Sequence, residues 1–309
     1  MQNRRIVKTM VTVGMFCVAT LSMGAVQCVP AGTCQCRRFR VQTVDFLNYN
    51  FLMSSPTTVD VLASIQCRSR DASGQSTISF EVSLDGDVSG RNMEQGSNQI
   101  LFNVYHPNAP GVVLGQGSNA YTYTGVIGSS YNTIPLTFPA EIFTNQNVVD
   151  GVYQRRYQFH AVHTQFNNTR TRNRSVRFRV RVNRVCEVSA NDVNLGTYYA
   201  TNSSPATATG TLMFKCTPNV SAAFSVNPGT GSSSYASRVL SSGTNTLPYN
   251  VYTDPAYSAI WGDGSGGSQT ISLLTSGSAQ SSNYYVRIPA GQFSPAGLYT
   301  STLVMTLLL

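Results

Sequence analysis

Apolar and polar residues alternate along several stretches of the chain, a pattern typical of strands with one buried face. The clearest stretch covers residues 174–185, where four apolar residues alternate with three arginines and an asparagine. A second covers residues 299–309, and shorter ones cover residues 77–84 and 222–226. Clusters of Gly, Asp, Ser and Pro separate these stretches, and no amphipathic helix of useful length stands out. The pattern predicts an all-β chain.

The chain contains two copies of one pattern. A cysteine pair, a Ser-Ser-Pro triplet, an arginine, an Asn-Val-Tyr triplet and a Gly-x-Gly-Ser motif recur in the same order in both halves. Arg91 and Arg238, for example, lie 147 positions apart, as do residues 103–105 and 250–252. Ordered self-similarity of this kind indicates a duplicated domain. Together with the strands, it predicts two tandem β-sandwich domains, residues 25–184 and 185–309.

Residues 1–24 have the pattern of a secretory signal peptide. Arg4, Arg5 and Lys8 precede an apolar stretch of 14 residues, 10–23, and small residues follow it. The stretch is short for a bilayer span, so a membrane anchor is the less favoured interpretation. Cleavage removes three positive charges from a formal net charge of +8, which leaves +5, and it removes one of seven cysteines, which leaves six.

Six cysteines in an exported chain favour disulfides. Cys186 has only Cys216 as a partner in its own half, and the repeat by analogy pairs Cys36 with Cys67, which leaves Cys28 for Cys34. Cys34 competes with Cys36, so the pairing in the first half stays open. A zinc site at residues 34–36 is a weaker alternative, because one intervening residue is a short spacing for zinc ligands.

Motifs in the second half resemble a known family. They are Leu195-Gly196-Thr197-Tyr198, Leu247-Pro248-Tyr249-Asn250-Val251-Tyr252, Trp261-Gly262-Asp263-Gly264 and Ile288-Pro289-Ala290 followed by Gly297-Leu298-Tyr299. On these residues the chain resembles the spore coat protein U domain family, which is used by archaic, Csu-type chaperone–usher pili. The first half shares the spacing but has Leu114 in place of Trp261.

The resemblance implies that both sandwiches are immunoglobulin-like, and that the chain is a structural subunit whose C-terminal sandwich lacks its last strand. A periplasmic chaperone would fill the gap first, and the donor strand of the adjacent pilin subunit would replace it at the outer-membrane usher. In such strand addition, backbone bonds complete the sheet and alternate side chains fill pockets. The expected contacts of the partner strand are Leu303, Met305, Leu307 and Leu309.

Few residues separate the expected cleavage point near Ala25 from Cys28. We therefore expect a subunit that accepts a strand and donates none, as the two-domain adhesin at the tip of a pilus would. Its first domain would attach the cell to an abiotic or host surface and begin biofilm formation. The expected location is the cell surface, reached through the periplasm.

Three apolar stretches in the first half are candidates for surface contact, at residues 46–53, 111–114 and 142–149. Exposed apolar patches mark interaction sites. The alternative is that these stretches are ordinary core strands. The candidate residues are Phe46, Leu47, Tyr49, Phe51, Leu52, Val112, Val113 and Leu114.

Nine arginines lie between residues 151 and 184, with no acidic residue among them. Three of them, Arg177, Arg179 and Arg181, alternate along one predicted strand face and form a basic stripe. Such a stripe suits lipopolysaccharide, acidic polysaccharide or a charged abiotic surface. The alternative is a solvated edge that resists edge-to-edge pairing. Nucleic acid is not an expected partner.

The sequence predicts no catalytic residue, no metal ligand set and no cofactor. His160 and His163 have no cysteine or carboxylate close by in the sequence, and residues 85–87 lack the ligand series of a calcium loop. We therefore expect a protein that is not an enzyme. A secreted spore-coat or extracellular-matrix protein is the alternative function. A carbohydrate-active enzyme is disfavoured because no pair of carboxylates stands out.

Overall fold

The computed structural model describes residues 26–309, so the predicted signal peptide, residues 1–24, lies outside the described residues. Within that range the chain is built from strands, with one short 3₁₀ helix at Gly117–Asn119. This confirms the all-β prediction. No helix of residues 26–309 combines the length and the apolar character needed to cross a membrane.

Twelve strands form the first unit, a single hydrogen-bonded network wrapped around one core. The strands are β1 (Cys28–Val29), β2 (Cys34–Val41), β3 (Val44–Tyr49), β4 (Thr57–Ser69), β5 (Gln75–Leu84), β6 (Arg91–Gln95), β7 (Asn98–His106), β8 (Ala109–Val113), β9 (Tyr121–Gly128), β10 (Asn132–Ile142), β11 (Gly151–Gln165) and β12 (Asn168–Val182).

The two longest strands close this unit. β11 and β12 pair antiparallel along their full length, from Gly151 opposite Val182 to Gln165 opposite Asn168. On its other side β12 runs parallel to β3. The inward residues of β12 are at most 2% exposed, as the alternation of this stretch predicts. They are Val176, Phe178, Val180 and Val182.

Nine strands form the second unit around a separate core that contains Trp261. β13 (Cys186–Ala190), β14 (Ala206–Cys216), β20 (Gln280–Ile288) and β18 (Asn250–Tyr252) make one sheet in that order. β19 (Ile271–Leu274), β15 (Ser221–Val226) and β21 (Met305–Leu308) make the second. β16 (Val239–Ser242) and β17 (Asn245–Pro248) form a hairpin.

The duplication in the sequence reappears in the strand pairing. Leu84 of β5 faces Phe159 of β11 in the first unit, and Val226 of β15 faces Met305 of β21 in the second. Disulfides join the cross-strand pairs Cys36–Cys67 and Cys186–Cys216. A third disulfide joins Cys28 to Cys34, so Cys34 does not compete for Cys67.

The last strand is shorter than the alternation predicted. The sequence pattern favours a strand over residues 299–309, but regular pairing covers only Met305–Leu308. Upstream of it, Thr300 makes one isolated bridge with Ser241. Among the described strands, β21 bonds to β15 on one side, and no strand lies along its other edge. Residues 299–304 therefore lack the ladder that would make them a regular strand.

Candidate functional site, an open groove in the second unit

A cleft of about 280 Å³ opens on the second unit between its two sheets. One wall consists of residues 190–195, from the last residue of β13 onward, and the other consists of residues 301–305, up to the first residue of β21. The floor is apolar and aromatic because it belongs to the core of the unit. It consists of Tyr249, Val251, Trp261, Tyr284 and Val286.

Both walls of this cleft carry free backbone edges. Among the strands of residues 26–309, β13 bonds only to β14, and β21 bonds only to β15. Residues 191–199 contain no regular strand. Leu303, Met305 and Leu307 are half-buried against the core, and Leu309 is 44% exposed. An apolar sheet edge without a neighbour is a template for a further strand.

The corresponding place in the first unit is occupied by β12. β3 corresponds to residues 193–198, since Val44, Phe46 and Tyr49 lie 149 positions before Val193, Leu195 and Tyr198. With β12 beside them, the three β3 residues are at most 4% exposed. Their counterparts in the second unit are only half-buried. The difference in burial therefore follows the presence of the neighbouring strand.

The largest inward side chain of β12 shows what the cleft lacks. The ring centroid of Phe178 lies 4.8 Å from that of Phe102, 5.9 Å from that of Tyr157 and 6.5 Å from that of Phe159. The repeat places the counterparts of these three residues around the cleft. They are, in the same order, Tyr249, Leu303 and Met305. The cleft is thus the space that Phe178 fills in the first unit.

Hydrogen bonds hold the floor of the cleft in place. Trp261 Nε1 donates to the Phe224 carbonyl at 2.9 Å, and Arg238 Nη2 donates to the Trp261 carbonyl at 2.7 Å. Burial raises the pKa of the Tyr249 phenol, and burial together with the charge of Asp192 raises that of Tyr284. Both phenols are therefore neutral at physiological pH, and the floor presents an uncharged surface.

Four of the eight candidate residues for surface contact lie in the core, so the alternative of ordinary core strands holds for them. Phe46, Tyr49, Phe51 and Leu114 are at most 4% exposed because they face the core of the first unit. Leu52 and Val113 are half-buried. The exposed members are Leu47, at 72%, and Val112, at 41%.

The basic stripe lies on β12 as the alternation indicates. Arg177 and Arg181 are exposed, whereas Arg179 is half-buried and forms an ion pair with Asp45 at 3.4 Å. Arg156 of β11 lies opposite Arg177 and adds to the positive face. One of the three stripe arginines is therefore neutralised by a neighbouring carboxylate.

Two buried arginines carry a role that the sequence did not reveal. Arg91 and Arg238 are each 1% exposed. Nη1 of Arg91 donates to Oδ1 of Asn103 at 3.3 Å, and Nη1 of Arg238 donates to Oδ1 of Asn250 at 2.8 Å. The other guanidinium nitrogens of both residues donate to backbone carbonyls. Their recurrence at an interval of 147 residues was the available signal.

In residues 26–309, no group of three or more His, Cys, Asp or Glu is placed to hold a metal ion.

Comparison with known proteins agrees with the duplicated architecture. A sequence model of the Spore Coat Protein U domain matches residues 19–156 and again residues 172–306. No curated sequence matches this chain. One structural match is a chain of the CsuC–CsuE chaperone–tip adhesion subunit pre-assembly complex, from the archaic chaperone–usher Csu pili of Acinetobacter baumannii. Its sequence is 15% identical to this chain, and the TM-score is 0.55. The match covers 87% of this chain and 99% of that one, and it shows a shared fold.

A second structural match is weaker. The CupB6 tip adhesin of Pseudomonas aeruginosa is 9% identical with a TM-score of 0.37, over 89% of this chain and 96% of that one.

Proposed function

The chain belongs to the spore coat protein U domain family, because both copies of its repeat match that domain, and on this basis we propose that it is a non-enzymatic subunit of a chaperone–usher pilus. Its second unit accepts a strand from another polypeptide. The donors are a periplasmic chaperone before assembly and the adjacent pilin subunit at the outer-membrane usher. The finished fibre carries the protein on the cell surface.

One observation carries this proposal: the cleft of the second unit is lined by the counterparts of the residues that surround Phe178 in the first. The same duplicated sequence therefore supplies a filled and an unfilled form of one site. A strand that adds to an open sheet edge gains backbone hydrogen bonds and buries alternate side chains. Both gains are available here, since the edges of β13 and β21 are free and the floor is apolar.

The first unit also indicates how the partner strand lies. β12 is antiparallel to β11 and parallel to β3. By the same pairing, the partner strand runs antiparallel to β21 and parallel to residues 193–198. Phe178 faces Arg155 across the ladder, and Ser301 is the counterpart of Arg155. A large apolar residue of the partner strand is therefore expected opposite Ser301.

We assign the protein to the tip of the fibre, with the first unit as the part that contacts a surface and starts a biofilm. The first unit is closed by its own strand, so the molecule offers one acceptor site. The described residues before Cys28 are docked, since Gln27 exchanges two backbone hydrogen bonds with Ser79, at 3.2 and 2.8 Å. They are not a free donor segment in this state. The fold match to a chain of a chaperone–tip subunit complex supports the same assignment.

The proposal is tested by completing the second unit artificially. A second copy of residues 164–184, which contains the β11–β12 turn and β12, is appended directly after Leu309, the counterpart of His163. We expect the appended strand to enter the cleft, raise the unfolding temperature of the second unit and abolish co-purification with a periplasmic pilus chaperone. The matched control carries Asp at the appended counterparts of Phe178 and Val180. It should behave like the unmodified chain.

A second experiment separates the pilus from the coat or matrix alternative. The unmodified chain is co-expressed with the chaperone, alongside a variant that lacks residues 303–309. A pilus subunit should co-purify only when these residues are present, whereas a coat protein should form stable assemblies without a chaperone. An unmodified chain that is a stable monomer, and that gains nothing from the appended strand, would overturn the proposal.

A further inference from the structure

Four arginines share one sheet face of the first unit. In register, Arg37 of β2 lies opposite Gln66 of β4, and Arg40 lies opposite Ser64. Ser64, Gln66 and Arg68 are two residues apart on β4, so they point to the same side. Arg70 follows two residues later. We call this set, Arg37, Arg40, Arg68 and Arg70, the arginine face.

Aromatic and amide groups fix the guanidinium groups of this face. Arg37 and Arg68 both stack on Tyr131, with 3.6 and 4.5 Å between each guanidinium carbon and the ring centroid. Gln35 Oε1 accepts hydrogen bonds from Nε of Arg68 at 2.9 Å and Nε of Arg70 at 3.0 Å. These contacts set the planes of the guanidinium groups. They leave the terminal N–H groups of Arg68 and Arg70 free of protein acceptors among the described residues.

The arginine face has no counter-charge beside it. None of the three ion pairs between described residues involves it. The nearest acid on that side of β4 is Asp60, four residues before Ser64 and on the order of 13 Å away along the strand. Asp71 follows Arg70, but hydrogen bonds from the Ser73 hydroxyl and backbone N–H engage its carboxylate and lower its pKa.

The duplication shows that the fold does not require these arginines. Arg37 and Arg68 each follow a disulfide cysteine, Cys36 and Cys67. After the matching cysteines of the second unit, the chain has Glu187 and Thr217. The buried Arg91, in contrast, recurs as Arg238. Residues that hold the sandwich together recur in both units, and the arginine face is confined to the first.

The arginine face also lies far from the groove. β12 begins beside the Phe166–Asn167 turn and runs for 15 residues to residues 183–185, which link it to the second unit. Arg70 stacks on Phe166, with 5.2 Å between its guanidinium carbon and the ring centroid, so the face lies at the end of the first unit that the linker does not reach. In a tip subunit, that end points away from the fibre.

We propose that the arginine face binds an acidic polysaccharide whose repeating units carry carboxylates. A guanidinium group presents planar, paired donors that match a carboxylate, and successive same-side residues on a strand place such groups at regular intervals of roughly 7 Å. Single-stranded nucleic acid fits less well, because the guanidinium groups of Arg37 and Arg68 cover the ring of Tyr131 and leave it no free face on which a base could stack. The inference deepens the surface attachment proposed above and rests on it for the setting in which the polymer is met.

The test compares two triple variants of the full chain that each remove three positive charges. R37Q/R68Q/R70Q removes most of the arginine face. R156Q/R177Q/R181Q removes exposed arginines of β11 and β12 that form no ion pair. Binding to polygalacturonate is measured by calorimetry at fixed salt, with dextran as the neutral polymer. We expect the first variant to weaken binding by roughly tenfold or more and the second by less than about twofold.

A third variant, R37K/R68K/R70K, keeps the charge and removes the planar donors. It should bind polygalacturonate more weakly than the wild type and more tightly than the glutamine variant. Thermal unfolding confirms that all three variants fold. Equal losses in the two glutamine variants would reduce the effect to net charge and overturn the proposal. A wild-type chain that does not bind polygalacturonate would also overturn it. The same holds if single-stranded DNA or anionic lipid vesicles bind as tightly as polygalacturonate and lose binding in the same variants.

The result is independent of the groove. A chain that binds polygalacturonate but gains nothing from the appended strand would retain this inference and lose the assignment to a pilus. A chain that accepts the appended strand but does not bind polygalacturonate would retain the assignment to a pilus and lose this inference.

Discussion

The ring of Phe178 packs 4.8 Å from the ring of Phe102, and this contact closes the first unit. The second unit has Tyr249 in place of Phe102 and an open cleft in front of it. The strand that carries Phe178 in the first unit, β12, has no counterpart beside β21 among the described residues. Under the function proposed above, the contacts of β12 indicate which side chains a partner strand would supply to the second unit.

Removing the Phe178 ring should open the first unit in the same way. Phe178 is fully buried, so Phe178→Ala should lower the free energy of unfolding of that unit by about 3–5 kcal/mol, through lost burial and the cavity left behind. The measurement is hydrogen exchange of the β11 and β12 amides as a function of denaturant. Arg177→Ala on the exposed side of β12 is the control and should change the value by less than about 0.5 kcal/mol. A Phe178→Ala chain as stable as the control would show that this contact does not close the unit.

Much of this arrangement is encoded locally and was predictable. Alternation identified the inward side of β12 and of residues 303–307, because a strand with one buried face repeats every two residues. The apolar run of residues 46–53 was ambiguous by the same rule. Leu47 has a φ of 62°, which shifts the alternation by one residue, so that Tyr49 and not Asn48 joins Phe46 in the core. A left-handed residue in a strand leaves no simple pattern in the sequence.

Contacts between distant residues were not predictable. Arg91 recurs as Arg238, but its acceptors include carbonyls 7 and 23 positions away, and only the folded chain brings them together. The arginine face has the same origin. Arg37 and Arg68 share Tyr131 because β2, β4 and β10 are adjacent in the sheet.

Arg238 should be essential to the second unit although it touches no carboxylate. Its donors serve Asn250 Oδ1 and the carbonyls of Pro228, Asn227 and Trp261. Arg238→Met would leave these buried acceptors unpaired, and an unpaired buried polar group costs about 1–3 kcal/mol. We expect a loss of about 3–5 kcal/mol in the free energy of unfolding. Trp261 fluorescence in denaturant provides the measurement.

A lysine at position 238 provides the matched control for charge. Arg238→Lys keeps the positive charge, but a single ammonium group cannot donate to all the acceptors that surround the planar guanidinium of Arg238. It should recover less than half of the loss. Full recovery would mean that charge, and not the geometry of the hydrogen bonds, is what the site requires.

His163 should make the first unit sensitive to mild acid. The side chain is fully buried, and neither ring nitrogen has a hydrogen-bond partner among the described residues. Burial, followed by the positive charge of Arg172, lowers the pKa of His163 to about 4. In the unfolded chain the pKa returns to about 6.5. The unfolded chain therefore binds a proton that the folded unit rejects, and stability falls by about 3 kcal/mol as the pH drops from about 6.5 to about 4, then levels off.

Leucine is the natural replacement, because Leu309 is the counterpart of His163 in the second unit. His163→Leu should remove this part of the pH dependence while the contribution of the carboxylates remains. The comparison uses denaturant unfolding of both proteins at several pH values between 7 and 4. Parallel curves for the two proteins would contradict the assignment to His163.

Trp261 should report directly on the groove. It is the one tryptophan of the chain, it is 2% exposed, and it forms part of the floor of the cleft. A peptide that copies residues 172–184 carries the inward side chains of β12, so it should displace water from the cleft and shift the Trp261 emission to shorter wavelength in a saturable manner. The same peptide with Asp in place of Phe178 should give no saturable shift, because a carboxylate does not enter an apolar site unpaired. Polygalacturonate should leave the emission unchanged, since the arginine face lies on the other unit. An emission that responds to both peptides alike, or to neither, would mean that the cleft does not select an apolar strand.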